Sequence, residues 1–185
     1  MEHIYQNIDG WFTFPNLYKE MVQKFDNATF VEVGTWKGKS AAFMAVEIAN
    51  SNKNIKFYCV DTWKGSEEHQ QELYIKKDKL YKHFLNNIEL VKEYIIPIKK
   101  YSLTAVKQFQ DENLDFVFID ASHDYNNVLA DLNAWYPKVK PGGVLAGHDY
   151  HNDWPGVIQA VNEFVYNKKL KLNVCCDQRV WILNK

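Results

Sequence analysis

Arginine is almost missing from this chain. Arg179 is the only one among 22 basic residues, which face 23 acidic residues for a net charge of −1. Guanidinium forks are the preferred readers of phosphate and guanine, so a nucleic-acid partner held by charge is disfavoured. Long apolar runs are missing too. None approaches the roughly 18 residues that span a bilayer, and no membrane partner is expected. The opening stretch Met1-Glu-His-Ile-Tyr-Gln-Asn7 is too polar for a secretory signal. Cysteine is scarce and odd in number. Cys59, Cys175 and Cys176, two of them adjacent, suit neither a disulfide framework nor a Cys-x-x-Cys knuckle. Reduced thiols in a cytoplasmic protein are the expectation.

What is present is apolar: 46% of the 185 residues are hydrophobic and 15% aromatic. That suffices for one core and is too short for two ordinary domains. Residues 1–185 read as one domain without repeats or linker, with 1–28 as an N-terminal helical cap. Strand-type runs occupy Thr29–Gly34, Ile55–Asp61 and Asp115–Asp120, and Val144–Gly147 follows a turn at Lys140-Pro-Gly-Gly143. A weaker run, Tyr94–Ile98, carries Pro97 and belongs at an edge. Helical spacing fills Ser40–Ala49, Tyr125–Trp135 and Gly156–Tyr166. This alternation predicts an α/β fold with a doubly wound, mostly parallel sheet. Leu170–Cys176 and Arg179–Leu183 add a C-terminal antiparallel hairpin, turning at Asp177-Gln178. Residues 62–93 break the alternation, being long and charged, with Leu80, Phe84, Ile88 and Val91 at helical spacing. They read either as a solvated helix pair or as a cover over the site.

Ligands of an open parallel sheet bind at the strands' carboxyl ends. There the loop Glu32-Val-Gly34-Thr-Trp-Lys-Gly38-Lys-Ser40 leads into a helix whose N-terminus offers unpaired N–H donors. Its Gly-x-x-x-Gly spacing is neither the dinucleotide fingerprint nor a P-loop. Asp61, ending the second strand, is a candidate acceptor for the two hydroxyls of a ribose, or simply a turn residue. Asp120 and Asp149 end neighbouring strands, with His148 beside one and His123 three residues past the other. Two carboxylates and an imidazole that converge can hold a divalent cation.

With these residues the chain resembles the class I S-adenosylmethionine-dependent methyltransferases. Val31–Ser40 is similar to the first motif of the catechol-type O-methyltransferases. Phe118-Ile-Asp-Ala-Ser-His-Asp-Tyr125, Pro141-Gly-Gly143 and Gly147-His-Asp-Tyr150 resemble those acting on sugars and natural products. The resemblance implies a Rossmann-like, seven-stranded sheet and S-adenosylmethionine as cofactor. It implies that Glu32, Gly34 and Trp36, with Thr35 and Gly38 of the same loop, line the methionine end. Ser40 would hold the carboxylate, Asp61 the ribose, while Trp63 packs near the adenine and Ser102 touches its edge.

In the resembling families the positions of Asp120, His148 and Asp149 bind magnesium or a similar ion. An imidazole in the middle favours manganese, iron, cobalt or zinc over magnesium. His123, where catechol-type enzymes carry a lysine, would accept the proton of a hydroxyl, with Asp120 beside it. The acceptor is then a small hydroxylated molecule, a sugar first and a phenol second. Two rivals remain open: a non-haem-iron oxygenase using His123, His148 and one aspartate, and a cofactor-binding module without turnover. The apolar stretch through Trp11, Phe12 and Phe14 serves either as a pocket lid or as a contact surface of an oligomer.

Overall fold

Strand-forming runs only find a partner face when the chain brings them side by side, and here they form one sheet. A computed structural model describes residues 1–65, 79–177 and 179–185. The strands are β1 (Ala28–Val33), β2 (Ile55–Asp61), β3 (Ile96–Lys99), β4 (Leu114–Ile119), β5 (Val139–Gly147), β6 (Leu172–Cys175) and β7 (Val180–Asn184). Their order is β3-β2-β1-β4-β5-β7-β6. The first five run parallel, and β7 lies antiparallel between β5 and β6. The expected fold class and C-terminal hairpin are both present; Gln178 of its turn lies outside the described residues.

The helices are α1 (Pro15–Lys24), α2 (Lys39–Ser51), α3 (Leu80–Asn87), α4 (Ser102–Ala105), α5 (Tyr125–Trp135) and α6 (Pro155–Lys168). The period of 2 in the strands sorts their side chains onto two faces. Phe30, Phe116 and Phe118 pack on one face with α1, α2 and α3. Val31, Val117 and Ile119 pack on the other with α5 and α6. Leu80, Phe84, Ile88 and Val91 are all buried, so the second half of 62–93 docks one apolar row on the core while Lys82, Glu89, Lys92 and Glu93 stay exposed. Its charged part, including Glu67, Glu68, Lys76 and Lys77, lies outside the described residues. No helix among the described residues is long and apolar enough to cross a membrane.

Two boundaries differ from expectation. Lys140-Pro-Gly-Gly143 is strand, not turn, because the far end of the chain pairs with it. The N–H of Gly142 donates to the Lys185 carbonyl at 2.7 Å, and that of Lys185 to the Gly143 carbonyl at 3.1 Å. A register shift between Leu114 and Phe116 absorbs the irregular residues. The proline-bearing strand runs from Ile96 to Lys99, at the sheet edge as its missing N–H requires.

The N-terminal region is bound to this frame by a lysine. The Lys53 ammonium donates to the carbonyls of Val22 (2.8 Å), Gln23 (2.6 Å) and Phe25 (2.9 Å), groups that the end of α1 leaves without helical partners. Lys53→Met keeps the stem and removes all three donors. It is expected to lower stability by about 1–3 kcal/mol, read from urea unfolding, and a change below the error of that measurement would refute the role.

Candidate active site

The site begins where β1 ends. Gly34 has φ +88°, and a Cβ there would lie 1.9 Å from the carbonyl oxygen of Asp120. Only a glycine fits, so the loop after β1 and the end of β4 touch backbone to backbone. The Asp61 carboxylate then fixes the loop. One oxygen accepts the N–H groups of Thr35 and Trp36, both at 2.9 Å, and the other accepts that of Trp63 at 2.7 Å. Trp36 and Trp63 adopt left-handed backbone angles, φ 49° and 51°. The Trp63 indole N–H donates to the Trp36 carbonyl at 3.0 Å.

Beneath the loop Glu32 is wholly buried, and one of its oxygens accepts the Ser40 hydroxyl. Its other oxygen and the Thr35 hydroxyl are buried without a hydrogen-bond partner. Burial pushes the Glu32 carboxyl up to about 8; the Ser40 bond opposes this and the nearby Asp120 charge adds to it.

The second half of the site lies at the ends of β4 and β5. His123 Nε2 is 3.0 Å from one Asp149 oxygen, and His148 Nδ1 is 3.1 Å from the other. One carboxylate thus bridges two imidazoles. Burial works against the Asp149 anion, but the bonds from His123 and His148 outweigh it and hold its pKa low. Burial disfavours the charged form of His148 as well, yet Asp149 and Asp120 raise its pKa. Asp120, 3.9 Å from His148 Nδ1, is pushed up to about 7 by burial, with the imidazoles opposing and Asp149 assisting. Ligand atoms of Asp120, His148 and Asp149 all lie within 4.8 Å of one another, an arrangement able to hold an ion. His123 stands outside that group, its ring stacked on Trp154 at 3.8 Å. The two-histidine, one-carboxylate set is therefore not what forms among the described residues.

Four expected cofactor contacts take a different shape. Trp63 is only 1% exposed, its ring closed in by Tyr81 and Phe84. The Ser102 hydroxyl donates to Asp131 at 2.5 Å and accepts the Trp135 indole N–H at 2.8 Å. These bonds tie α4 to α5. A Cβ on Gly38 would meet Phe84 and Ile88 at 3.0 Å, so this glycine lets those side chains pack against the loop. Ser40 places its one O–H on Glu32, and only backbone donors of the α2 start remain to hold a carboxylate.

Other residues escaped the sequence reading. Thr13 Oγ1 lies 2.9 Å from His148 Nε2, binding the N-terminal stretch to the cluster across 135 residues. Buried Asp131 had a signal, an acid on the apolar Val128–Leu132–Trp135 face of α5. Trp154 and Thr13 had none.

The buried Glu32 makes stability depend on pH. Its folded value of about 8 lies above the ordinary 4.5, so the folded chain keeps a proton that the unfolded chain releases. Stability attributable to Glu32 is complete below that ordinary value and is lost as pH rises towards the folded one. Glu32→Gln should flatten the decline between about pH 5 and about pH 8 in urea unfolding. Parallel profiles for variant and parent would contradict this.

Comparison with known proteins converges on one family. A methyltransferase-domain model matches residues 31–150. A protein of Acanthamoeba polyphaga mimivirus is 29% identical over 148 residues, covering 76% of this chain and 60% of its own length. A protein of Sinorhizobium fredii is 25% identical over 150 residues, covering 80% of this chain and 16% of its own. The chain thus spans less than two thirds of either relative. Among solved structures, the O-methyltransferase NovP superposes with a TM-score of 0.70 at 16% identity, covering 94% of this chain and 79% of that one. An O-methyltransferase of Bacillus cereus, solved with S-adenosylhomocysteine, gives 0.64 at 19%, covering 96% and 83%. A putative rRNA methylase of Clostridium thermocellum gives 0.65 at 13%, covering 96% and 100%, so the shared fold leaves the acceptor open. With its antiparallel β7 set between β5 and β6, and with the family match spanning both halves of the crevice, the chain belongs to the methyltransferase-domain family.

Proposed function

We propose that the chain methylates a hydroxyl of a small acceptor, a sugar before a phenol, at the ends of β4 and β5. The observation that carries this reading is the Asp149 carboxylate bridging His123 and His148 beside the glycine loop. The loop fits a polar cofactor end, since Glu32 and Thr35 each bury an unpartnered oxygen there. Glu32, Gly34, Thr35 and Trp36 would hold the methionine end, with the start of α2 meeting its carboxylate. When bound, S-adenosylmethionine supplies a methyl group on a sulfonium, open to in-line attack.

The remaining chemistry belongs to the chain. A neutral hydroxyl is a weak nucleophile, and an imidazole is suited to take its proton near neutral pH. Asp149 orients His123, Trp154 fixes its ring plane, and the carboxylate stabilises the imidazolium that forms. Asp120, His148 and Asp149 present two carboxylates and an imidazole, a donor set that suits manganese better than magnesium. A cation held there would favour the acceptor's oxyanion.

Calorimetry with S-adenosylhomocysteine, followed by transfer of a labelled methyl group to sugars and catechols, tests the reading. His123→Ala is expected to lower kcat by about 10²–10⁴. Absence of cofactor binding would sink the assignment, and binding without transfer to any hydroxyl would favour the module without turnover. Manganese at about 100 times its Kd should stabilise the parent by ~2.7 kcal/mol. Asp120→Asn with Asp149→Asn should remove most of that gain; an equal gain in the double variant places the ion elsewhere.

A further inference from the structure

We infer that Arg179 recognises an anionic group, a carboxylate or a phosphate monoester, carried by the methyl acceptor. The inference rests on the acceptor site proposed above and narrows the class of molecule it takes. Arg179 is the chain's only guanidinium. Its position follows from the antiparallel pairing of β5 with β7. Gly147 stands opposite Trp181, so the register continued past the strand ends sets Arg179 across from Asp149. Two backbone bonds hold it there. The Tyr150 N–H donates to the Arg179 carbonyl at 3.0 Å, and the Arg179 N–H to the Cys176 carbonyl at 3.1 Å. The guanidinium is near enough that its charge opposes protonation of His148.

Arg179 is half-buried, yet among the described residues no carboxylate reaches ion-pair distance of it. The acid opposite, Asp149, is engaged by His123 and His148. A guanidinium drawn partly out of water without an anion is unfavourable unless something else supplies one. Its planar fork of donors fits a carboxylate or phosphate in two-pronged fashion. The cofactor's own carboxylate is badly placed to be that anion. From β1 to β7 there are three strand steps, through β4 and β5, or roughly 14 Å at the usual strand spacing. An acceptor whose hydroxyl lies at the Asp149 cluster has Arg179 beside it.

Two matched probe sets separate the sources of charge: glucose, glucuronate and glucose phosphate; then catechol and dihydroxybenzoate. The intact chain, loaded with cofactor, is expected to prefer the anionic members by about tenfold or more in kcat/KM. Arg179→Gln should abolish that preference through KM, and Arg179→Lys should keep part of it. Preference for glucuronate or dihydroxybenzoate marks a carboxylate, and preference for glucose phosphate marks a phosphate. If no probe is methylated, calorimetric binding of the same probes to the chain loaded with S-adenosylhomocysteine decides. Equal binding of charged and neutral members, or of none, overturns the inference, as does a ratio that Arg179→Gln leaves unchanged. A loss of S-adenosylhomocysteine affinity in Arg179→Gln as large as the lost preference would assign the arginine to the cofactor and overturn it too. Methylation of neutral and anionic members alike would defeat this inference while leaving O-methylation standing; failure to bind S-adenosylhomocysteine would defeat both.

Discussion

Everything in the crevice depends on one steric constraint, the contact of Gly34 with the carbonyl of Asp120. A Cβ at that glycine would lie 1.9 Å from the oxygen, so no other residue lets β1 and β4 end so close together. That proximity brings a loop with unpaired donors beside a group of acids and imidazoles. Strand order contributes the rest, because β1 and β4 are neighbours across the point where the sheet reverses its winding. The glycine loop and the histidine cluster are two halves of one crevice for this reason, although almost ninety residues separate Gly34 from Asp120.

The acids of the crevice are treated unequally by their surroundings. Asp61 meets three backbone N–H groups, which hold the loop in a strained left-handed path at Trp36 and Trp63. Glu32 is wholly buried with one hydroxyl bond and with the Asp120 charge nearby, so it favours its neutral form. Asp149 is kept ionised by two imidazoles, while Asp120 a few ångströms away is pushed towards the protonated state. Four carboxyl groups at one sheet edge can coexist because burial and hydrogen bonding divide their charges among them.

The strands, the two apolar faces and the C-terminal hairpin were legible because their signal is local: periodicity, β-branched runs and a terminal acid. The buried row Leu80, Phe84, Ile88 and Val91 was legible as a helix, but its burial was not, since the charged residues around it suggest solvent. The turn expected at Lys140–Gly143 failed because pairing with Lys185 overrides local propensity. The neighbours of Trp63 and Ser102 were not legible for a related reason. Sequence position puts both at strand ends, where ligands bind, but only packing shows that Tyr81 and Phe84 close one while Asp131 and Trp135 occupy the other. Thr13 leaves no trace in the sequence, because its partner is 135 residues away.

That last bond also bears on when the crevice comes into being. A chain emerging in order exposes its first fourteen residues long before His148 exists, and Phe14 must wait for Phe118. The pairing of β1 with β4 joins residues 86 apart and the bond from Thr13 joins residues 135 apart, so both halves of the crevice depend on contacts between distant parts of the chain. The reactive edge therefore exists only once these distant parts have met. Until then Phe14 lacks Phe118 and His148, two of the rings it packs against.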